Sequence, residues 1–218
     1  MPQISFTLSG VDISDAEDIA RYVLVPAMQN GPLYRTMFPQ SDTVTKQQRD
    51  EIVRWYTDML EDAFEDRWES FLKASSPNGT PIGFCAWTIE QDRGRQTDEQ
   101  PRRQKRKKGT WIPETIDINS WTTLSKASRA ERNRVLQNDT DICRLTFMAV
   151  DPKHQQQGIG SSMMQRICEE TDQHSRCAYV LAAPEGVRLY AKFGFETVGH
   201  VETSHGIITS MLRPLQQS

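Results

Sequence analysis

Apolar positions along this chain change between a period of two and a period near 3.6, which predicts strands interleaved with helices. Residues 3–9 alternate apolar and polar side chains, so we expect a strand with one buried face. Ser14 and Glu17 have the spacing of a capping box, which predicts the start of a helix. Pro26 and the turn at residues 30–32 are expected to end that helix.

The same periodicities continue as far as residue 89. Residues 33–39 (LYRTMFP) form a short apolar and aromatic stretch, which predicts a helical turn ending at the proline. From residue 45 to about residue 66 the apolar positions have helical spacing. Residues 68–75 and 81–89 flank the turn signal Pro-Asn-Gly-Thr at residues 77–80, which predicts an antiparallel hairpin.

Residues 90–140 break this pattern, because they are polar and contain no repeat. Within them, residues 102–108 (RRQKRKK) carry six basic side chains out of seven. Three interpretations stay open for this run: a poorly ordered solvated loop, which is the commonest case, a nuclear-import signal, or a patch for an acidic partner or for a phosphate group of a ligand.

Regular structure is expected again after residue 140. The predicted elements are a strand at 144–150, a helix at 158–173, a strand at 177–183, a helix at 186–192 and a hairpin of 196–202 with 206–214, which turns at Ser204 and His205. Strands and helices in this order predict an α+β fold with one mixed sheet flanked by helices.

Composition narrows the class of protein. With 218 residues, 37% of them hydrophobic, the chain is expected to form a single domain. No apolar run approaches the roughly 20 residues of a membrane helix, and the N-terminal residues lack the pattern of a secretory signal. The four cysteines are scattered without a C-x-x-C pair, which argues against a zinc site or disulfide framework and favours a reducing cytoplasm. A net charge of −3 makes nucleic acid an unlikely partner.

The stretch DPKHQQQGIG at residues 151–160 places two glycines at the start of a predicted helix. Glycine costs a helix about 1 kcal/mol relative to alanine, so a reason is needed. The first turn of a helix has unpaired N–H groups and the positive end of the helix dipole, and glycines at 158 and 160 would let a phosphate approach them. Tight packing of strand on helix is the alternative. Two other phosphate loops are excluded, because Ser161 replaces the lysine of one and Met163 the third glycine of the other.

Two motifs carry a resemblance to a known family. The pattern V-x-P-x-x-Q-x-x-G-x-G, spelled by Val150, Pro152, Gln155, Gly158 and Gly160, resembles the acyl-CoA motif of the GNAT superfamily of N-acetyltransferases. Residues 188–199 (RLYAKFGFETVG) resemble that family's L-Y-x-K-x-G-F segment, and the order of the preceding elements also fits. Residues 33–39 and the long polar segment look most like the fungal small-molecule branch.

The resemblance implies a single GNAT-like domain over residues 1–218, with a polar, basic insert at about 90–140. Its sheet would be mixed and mostly antiparallel, with a splayed parallel strand pair and flanking helices. Acetyl-CoA would be the co-substrate, with no metal. The resemblance places the pantetheine arm against the strand backbone and the pyrophosphate at the following turn. The residues implied are Met148, Ala149 and Val150 for the arm, and Gln155, Gln156, Gln157, Gly158, Ile159, Gly160 and Ser161 for the pyrophosphate.

Tyr190 matches the family's tyrosine, which often protonates the departing thiolate; the alternative is a core aromatic residue. The implied reaction is direct attack of an amine on the thioester. A cysteine nucleophile is disfavoured, because Cys168 lies on an apolar stripe and Cys177 opens an apolar strand, with no histidine placed to activate them.

The sequence does not identify a general base. The strand at 144–150 contains no acid, and Leu181 and Ala183 are apolar where many fungal relatives have polar residues. Glu185 and Asp141 lie nearby in sequence but can equally be solvated loop charges. A relay through water and backbone carbonyls also stays open.

The acceptor is expected to be a small-molecule amine held by aromatic residues, each of which can equally be core. The candidates are Tyr34, Phe38, Trp87 and Trp111, with Met37 beside them. An acidic helix face could attract a cationic amine, although such a face is usually only solvated; it comprises Glu61, Asp62, Glu65, Asp66 and Glu69.

Two other functions stay open at this point: a GNAT-fold protein that binds CoA or another ligand without turnover, and a protein lysine acetyltransferase. The basic run would direct the second of these to the nucleus, whereas the leading hypothesis places the protein in the cytoplasm. Whether the chain forms a homodimer also stays open, as do the identity of the amine and the length of the acyl chain.

Overall fold

The computed structural model describes residues 5–65, 69–90, 111–137 and 142–215, except for the side chain of Glu90. The strands are β1 (Thr7–Ser9), β2 (Glu69–Ser75), β3 (Pro81–Glu90), β4 (Ile142–Val150), β5 (Cys177–Ala182), β6 (Glu196–Thr203) and β7 (Gly206–Arg213). The α-helices are α1 (Ala16–Ile19), α2 (Val25–Met28), α3 (Pro32–Met37), α4 (Lys46–Phe64), α5 (Ile118–Leu136), α6 (Ile159–Gln173) and α7 (Pro184–Lys192).

The described strands form one seven-stranded sheet in the order β1-β2-β3-β4-β5-β7-β6. Neighbouring strands are antiparallel except for β4 and β5, which are parallel. Both predicted hairpins are confirmed, β2 with β3 and β6 with β7. The predicted α+β fold with a mixed, mostly antiparallel sheet and flanking helices is therefore confirmed.

The helices divide between the two faces of the sheet. Helices α6 and α7 cover one face, where Met163 and Ile167 pack against Cys85 and Leu145. Helices α1 to α5 cover the other face, which we call the α4–α5 face. Its largest cluster joins Phe84 of β3 to aromatic and aliphatic residues of α3 and α4. We call the face covered by α6 and α7 the α6–α7 face.

The first strand and first helix differ from expectation. Strand β1 is shorter than predicted, and Leu8 is exposed rather than on a buried face. Pro26 does not end the helix, because a π-helical segment at Ala20–Leu24 leads directly into α2. Proline lacks the N–H that a regular turn would use, and a local π turn is one way for a helix to continue past it.

Helix α5 was missed within the polar segment 90–140. Its N-cap is Asp117, whose carboxylate accepts a hydrogen bond from the Ser120 N–H at 3.0 Å. Trp121 of this helix is partly buried, and the buried residues of the helix are Leu124 and Leu136. So few apolar positions in 19 residues give a weak periodic signal. Residues 102–108, with the basic run, lie outside the described residues.

Candidate functional site

The parallel strands β4 and β5 part after a short stretch of pairing. Ile142, Cys143 and Arg144 pair with residues 177–179 of β5. Beyond Arg144, β4 continues to Val150 with β3 as its partner on one side only, while β5 pairs with β7. A gap therefore opens between two strands in the middle of the sheet, and the predicted splay is observed.

The direction of the β4 backbone groups follows from the ladder with β3. The Asp151 N–H donates to the carbonyl of Ile82 at 2.9 Å. Backbone groups alternate in direction along an antiparallel strand, so those of Ala149 point towards β3 and those of Met148 and Val150 point into the gap. Of the three residues predicted to bind through their backbone, Ala149 is thus already paired with β3.

A β-bulge lies where the gap begins. Ala86 of β3 pairs with Phe147 and Trp87 pairs with Leu145, which leaves Thr146 as the extra residue of β4. Phe147 packs against Phe84 on the α4–α5 face, with ring centroids 6.1 Å apart. The bulge changes the residue alternation of β4 at the point where β4 leaves β5.

The turn after β4 is held by its own side chains. The Asp151 carboxylate accepts from the Lys153 N–H at 3.1 Å and lies 2.9 Å from His154 Nδ1. Gln155 Nε2 donates to the Val150 carbonyl at 3.2 Å, and Gln157 Nε2 to the Lys153 carbonyl at 3.4 Å. These contacts order the turn without using the N–H groups at the start of α6.

Those N–H groups face the end of the turn. The first intrahelical bond runs from the Ser162 N–H to the Gly158 carbonyl at 2.9 Å. Ile159, Gly160 and Ser161 therefore have no intrahelical acceptor for their N–H groups. Together with the helix dipole they form a site that favours an anion.

The two glycines of the motif have different structural roles. Gly158 has φ +88°, a left-handed conformation that other residues rarely adopt, and no atom lies within 4 Å of where its Cβ would be. At Gly160 a Cβ would lie 3.2 Å from Leu189 Cδ2 of α7. Gly160 therefore allows close packing of α6 against α7, which differs from the strand-on-helix packing given as the alternative, whereas Gly158 shapes the open turn.

Tyr190 lies on α7, one residue after that Leu189 contact. It is buried, its ring centroid is 5.6 Å from that of Phe195, and a Cβ at Gly186 would lie 2.9 Å from its ring. Burial, with a smaller contribution from the Cys85 thiol, raises the pKa of its phenol. The phenol is therefore protonated near neutral pH.

The cysteines are free thiols, and Cys85, Cys143 and Cys168 are buried. Burial raises the pKa of Cys143 to about 11 and also raises the pKa values of Cys85 and Cys168. The thiolate is the reactive form, so these positions do not favour a nucleophile. Among the described residues, no group of three or more histidine, cysteine or acidic residues is arranged to hold a metal ion. No described helix is both long and apolar enough to cross a membrane.

The four predicted acceptor residues do not come together. Tyr34 and Phe38 pack with ring centroids 4.8 Å apart in the core of the α4–α5 face, and burial raises the pKa of Tyr34 to about 12. Trp87 faces α6, because residue alternation on β3 points it to the other side of the sheet. Trp111 lies against Arg54 of α4, whose guanidinium carbon is 5.1 Å from its ring centroid.

Two tryptophans extend the Tyr34–Phe38 pair. The ring centroid of Trp55 of α4 lies 6.1 Å from that of Phe38 and 5.6 Å from that of Trp121 of α5. Trp55 lies in the stretch 45–66, whose apolar spacing predicts a helix, whereas Trp121 lies in α5, which the sequence did not predict. These four rings join α3, α4 and α5.

Of the acids considered from the sequence, Glu69 is on β2 rather than on a helix face. Its carboxylate accepts a hydrogen bond from the Thr146 hydroxyl at the bulge of β4. Glu185 is exposed at the start of α7, and Asp141 lies outside the described residues. The sequence contains no signal for the Glu69–Thr146 contact, because it joins positions 77 residues apart.

The part of the chain that contains the gap and the start of α6 matches a known domain. Residues 126–197 match the family model of the acetyltransferase (GNAT) domain. That stretch contains β4, the turn, α6, β5 and α7. No curated protein matches the chain.

Solved structures share the fold over nearly the whole chain. The chain described as histone acetyltransferase HPA2 and related acetyltransferase from Corynebacterium glutamicum is 14% identical, with a TM-score of 0.62 and 99% of each chain covered. Arylalkylamine N-acetyltransferase 2 from Aedes aegypti is 13% identical, with a TM-score of 0.61, covering 97% of this chain and 100% of that one. PaiA N-acetyltransferase from Thermoplasma acidophilum, in complex with coenzyme A, is 12% identical, with a TM-score of 0.54 and coverages of 97% and 99%.

At these identities the likeness shows the fold. Taken with the domain match over residues 126–197, it supports an acyltransferase enzyme of the GNAT type.

Proposed function

We propose that this protein is an acetyl-CoA-dependent N-acetyltransferase that acts on the primary amine of a small molecule. One observation carries the proposal: the gap between β4 and β5 opens beside the unpaired N–H groups at the start of α6. An elongated ligand with an anionic end would fit both features at once. Coenzyme A has this form, and a solved structure with the same fold contains it.

Each part of coenzyme A would use different groups of the chain. The pyrophosphate would bind the N–H groups from Gln156 to Ser161, where Gly158 keeps the turn open. The pantetheine amides would pair with the backbone of Met148 and with the Val150 N–H, which point into the gap; the Val150 carbonyl already accepts from Gln155 Nε2. Ala149 supports that edge through its ladder with β3.

The reaction transfers the acetyl group without an acyl-enzyme. The neutral amine nitrogen attacks the thioester carbonyl carbon, the N–C bond forms and the C–S bond breaks. The sulfur takes a proton from the Tyr190 phenol, the phenolate regains a proton from solvent, and the amine loses its surplus proton to solvent.

One consideration favours a small amine over a protein lysine. Solved structures with this fold include enzymes described by small amines, such as an arylalkylamine N-acetyltransferase, and one described as a histone acetyltransferase, so they do not decide between the two. On the α4–α5 face, helices α3, α4 and α5 are joined by four aromatic rings, so this side is built up rather than open to a protein chain. A cytoplasmic location and membership of the fungal small-molecule branch stay predictions.

The test combines calorimetry with coenzyme A and release of free thiol from acetyl-CoA, using tyramine, phenethylamine and spermidine as acceptors. We expect binding in the micromolar range and turnover of at least one amine. Gly158→Val should abolish binding, because a β-branched residue at φ +88° reshapes the turn. Gly79→Val is the matched control: Gly79 has φ +87° and equally open surroundings, but lies in the β2–β3 turn.

Tyr190→Phe separates turnover from binding. It should lower kcat by about 10²-fold or more and leave the affinity for coenzyme A unchanged. Binding without thiol release for any amine would instead indicate a ligand-binding protein. The absence of any heat with millimolar coenzyme A would exclude the proposal altogether.

A further inference from the structure

An acidic side chain lies over the bulge of β4. Glu69 begins β2, and its carboxylate accepts a hydrogen bond from the hydroxyl of Thr146. β2 and β4 are separated by β3, so this contact spans two inter-strand spacings, about 10 Å. Thr146 is the residue that the bulge leaves without a partner on β3. Glu69 therefore reaches across the sheet to one specific irregularity.

The ladder shows which face this contact is on. Glu69 is directly opposite Thr88, and Thr88 is directly opposite Arg144. Thr88 lies on the α4–α5 face because it alternates with Phe84 and Ala86 along β3. Directly opposed residues share a face, so Glu69 and Arg144 lie on it too, and so does Thr146, which contacts Glu69. Helices α6 and α7 cover the other face. An amine bound on the α4–α5 face would thus meet Glu69 from the side opposite to Tyr190.

The position along β4 also matches the reacting end of the ligand. If the pyrophosphate lies at the turn, the pantetheine arm runs back from Val150 towards Thr146. Those four strand steps span about 13 Å at 3.3 Å per residue, which is comparable to an extended pantetheine arm. The gap closes at Arg144, two residues further on. The thioester would therefore come to rest beside Thr146.

We propose that Glu69 is the catalytic base: its carboxylate receives the ammonium group of the acceptor and takes one proton from it. This deepens the proposed function and rests on it. The proton moves from nitrogen to a Glu69 oxygen and then to solvent. The nitrogen lone pair that is set free forms the N–C bond as the C–S bond breaks. Thr146 is a positioning residue that orients the carboxylate through its hydroxyl.

Other charged groups nearby are committed elsewhere or lie farther from the gap. Lys73, on the same face of β2, is 2.5 Å from Asp15. Glu65, at the end of α4, is exposed. Arg144 lies on the same face of β4 as Thr146 and adds a positive charge beside the site.

Glu131 of α5 is a second partly buried acid on this face, and it suits the role less well. It is bound by Arg134 at 2.7 and 2.8 Å, and that contact lowers the pKa of its carboxyl. Arg134 also bonds the Val198 carbonyl, which fixes the pair against β6.

The test uses Glu69→Gln, which keeps the shape of the side chain and can still accept from Thr146. With the best amine of the acceptor panel, kcat/KM at pH 7 should fall by about 10²-fold or more. The loss should shrink towards pH 10, because a free alkyl amine with a pKa near 10.4 then supplies its own neutral form. Affinity for coenzyme A should not change.

Three further variants define the role. Glu69→Asp should recover part of the activity, since it restores a carboxylate. Thr146→Val should lower kcat less than Glu69→Gln does, because it removes only the orienting hydroxyl. Glu202→Gln is the control: this acid is 80% exposed on β6 and should behave as wild type.

Two results would overturn the role of Glu69 alone: wild-type kcat/KM at pH 7 in Glu69→Gln, or a loss that is equal at pH 7 and pH 10. In both, acetyl transfer by the wild type would still stand. If the wild type bound coenzyme A but acetylated no amine, the proposed function would fail and the base with it. If Glu69→Gln does not fold, the pH dependence of kcat/KM in Thr146→Val is the deciding measurement. A profile parallel to that of the wild type would then overturn the proposal.

Discussion

The two faces of the sheet are built from different materials. On the α6–α7 face, methionines, cysteines and small residues allow helices to approach closely, as at Gly83 and Gly160. On the α4–α5 face, aromatic rings fill the space between helices and sheet, as at Phe84 and Trp55. In the proposed function, backbone groups beside the first face would bind the ligand, and side chains of the second face would select the acceptor.

The largest expected effect compares the two cores. Phe84→Ala should lower the free energy of unfolding by about 4 kcal/mol, because the ring is fully buried and packs against Phe64, Phe71 and Phe147. Met163→Leu on the other face should cost less than about 1.5 kcal/mol, because it conserves volume. Urea unfolding measures both. A tolerated Phe84→Ala would mean that the aromatic face is loosely packed.

A second prediction concerns close approach on the α6–α7 face. A Cβ at Gly83 would lie 2.8 Å from Ile159 Cγ2, so Gly83→Ala should destabilise by about 1–3 kcal/mol. Because Ile159 begins α6, the affinity for coenzyme A should fall as well, as calorimetry would detect. Gly10→Ala is the control, with no atom within 4 Å of its Cβ and a negative φ. Unchanged affinity would show that the turn does not depend on this packing.

The corresponding change on the α4–α5 face should leave ligand binding alone. A Cβ at Gly199 would lie 2.2 Å from Glu131 Oε1 and 2.3 Å from Arg134 Nη2. These atoms are the ends of long side chains, so Gly199→Ala should displace the ion pair and break the Arg134 bond to the Val198 carbonyl, which should lower the unfolding temperature slightly. Thermal unfolding measures this shift. A weaker affinity for coenzyme A in this variant would contradict the separation of the two faces.

The smallest effect is a pH dependence at Asp15. Burial raises the pKa of its carboxyl, but the Asp12 N–H and Lys73 outweigh burial, and the pKa lies below its ordinary value. The ionised form is thus favoured by folding, so the stabilisation is present above the unfolded-state pKa near 3.9 and lost as pH falls below it. Asp15→Asn should remove this part of the acid sensitivity, worth up to about 1 kcal/mol. The measurement is the urea unfolding midpoint of the wild type and of Asp15→Asn at pH 3 and pH 6. An equal change of midpoint between the two pH values in both proteins would contradict the prediction.

The sequence predicted the elements of the α6–α7 face better than those of the α4–α5 face. The turn, α6 and Tyr190 were predicted because short motifs with local spacing specify them. Helix α5 was missed because Leu124 and Leu136 are its buried positions, and too few apolar residues mark its inner face. Trp87 and Trp111 were grouped with Tyr34 because residue type does not show which face of a strand or helix a ring will occupy.

The contact at the bulge was beyond sequence reasoning for a different reason. A slip of one residue between β3 and β4 decides which way Thr146 points, and no pattern in ICRLTFMAV announces that slip. Gly160 shows the converse, since the motif was found but its packing role needed the position of Leu189.

The contact of Leu189 with Gly160 fixes the position of α7 relative to the start of α6. It clamps the beginning of one helix to the middle of the next, and Tyr190 is the adjoining residue. In the proposed function, this contact would set the distance between the phosphate-binding turn and the Tyr190 phenol before coenzyme A binds. A thioester on an arm shorter or longer than pantetheine would not lie beside the Tyr190 phenol. The fold would therefore discriminate between acyl carriers by the length of this arm.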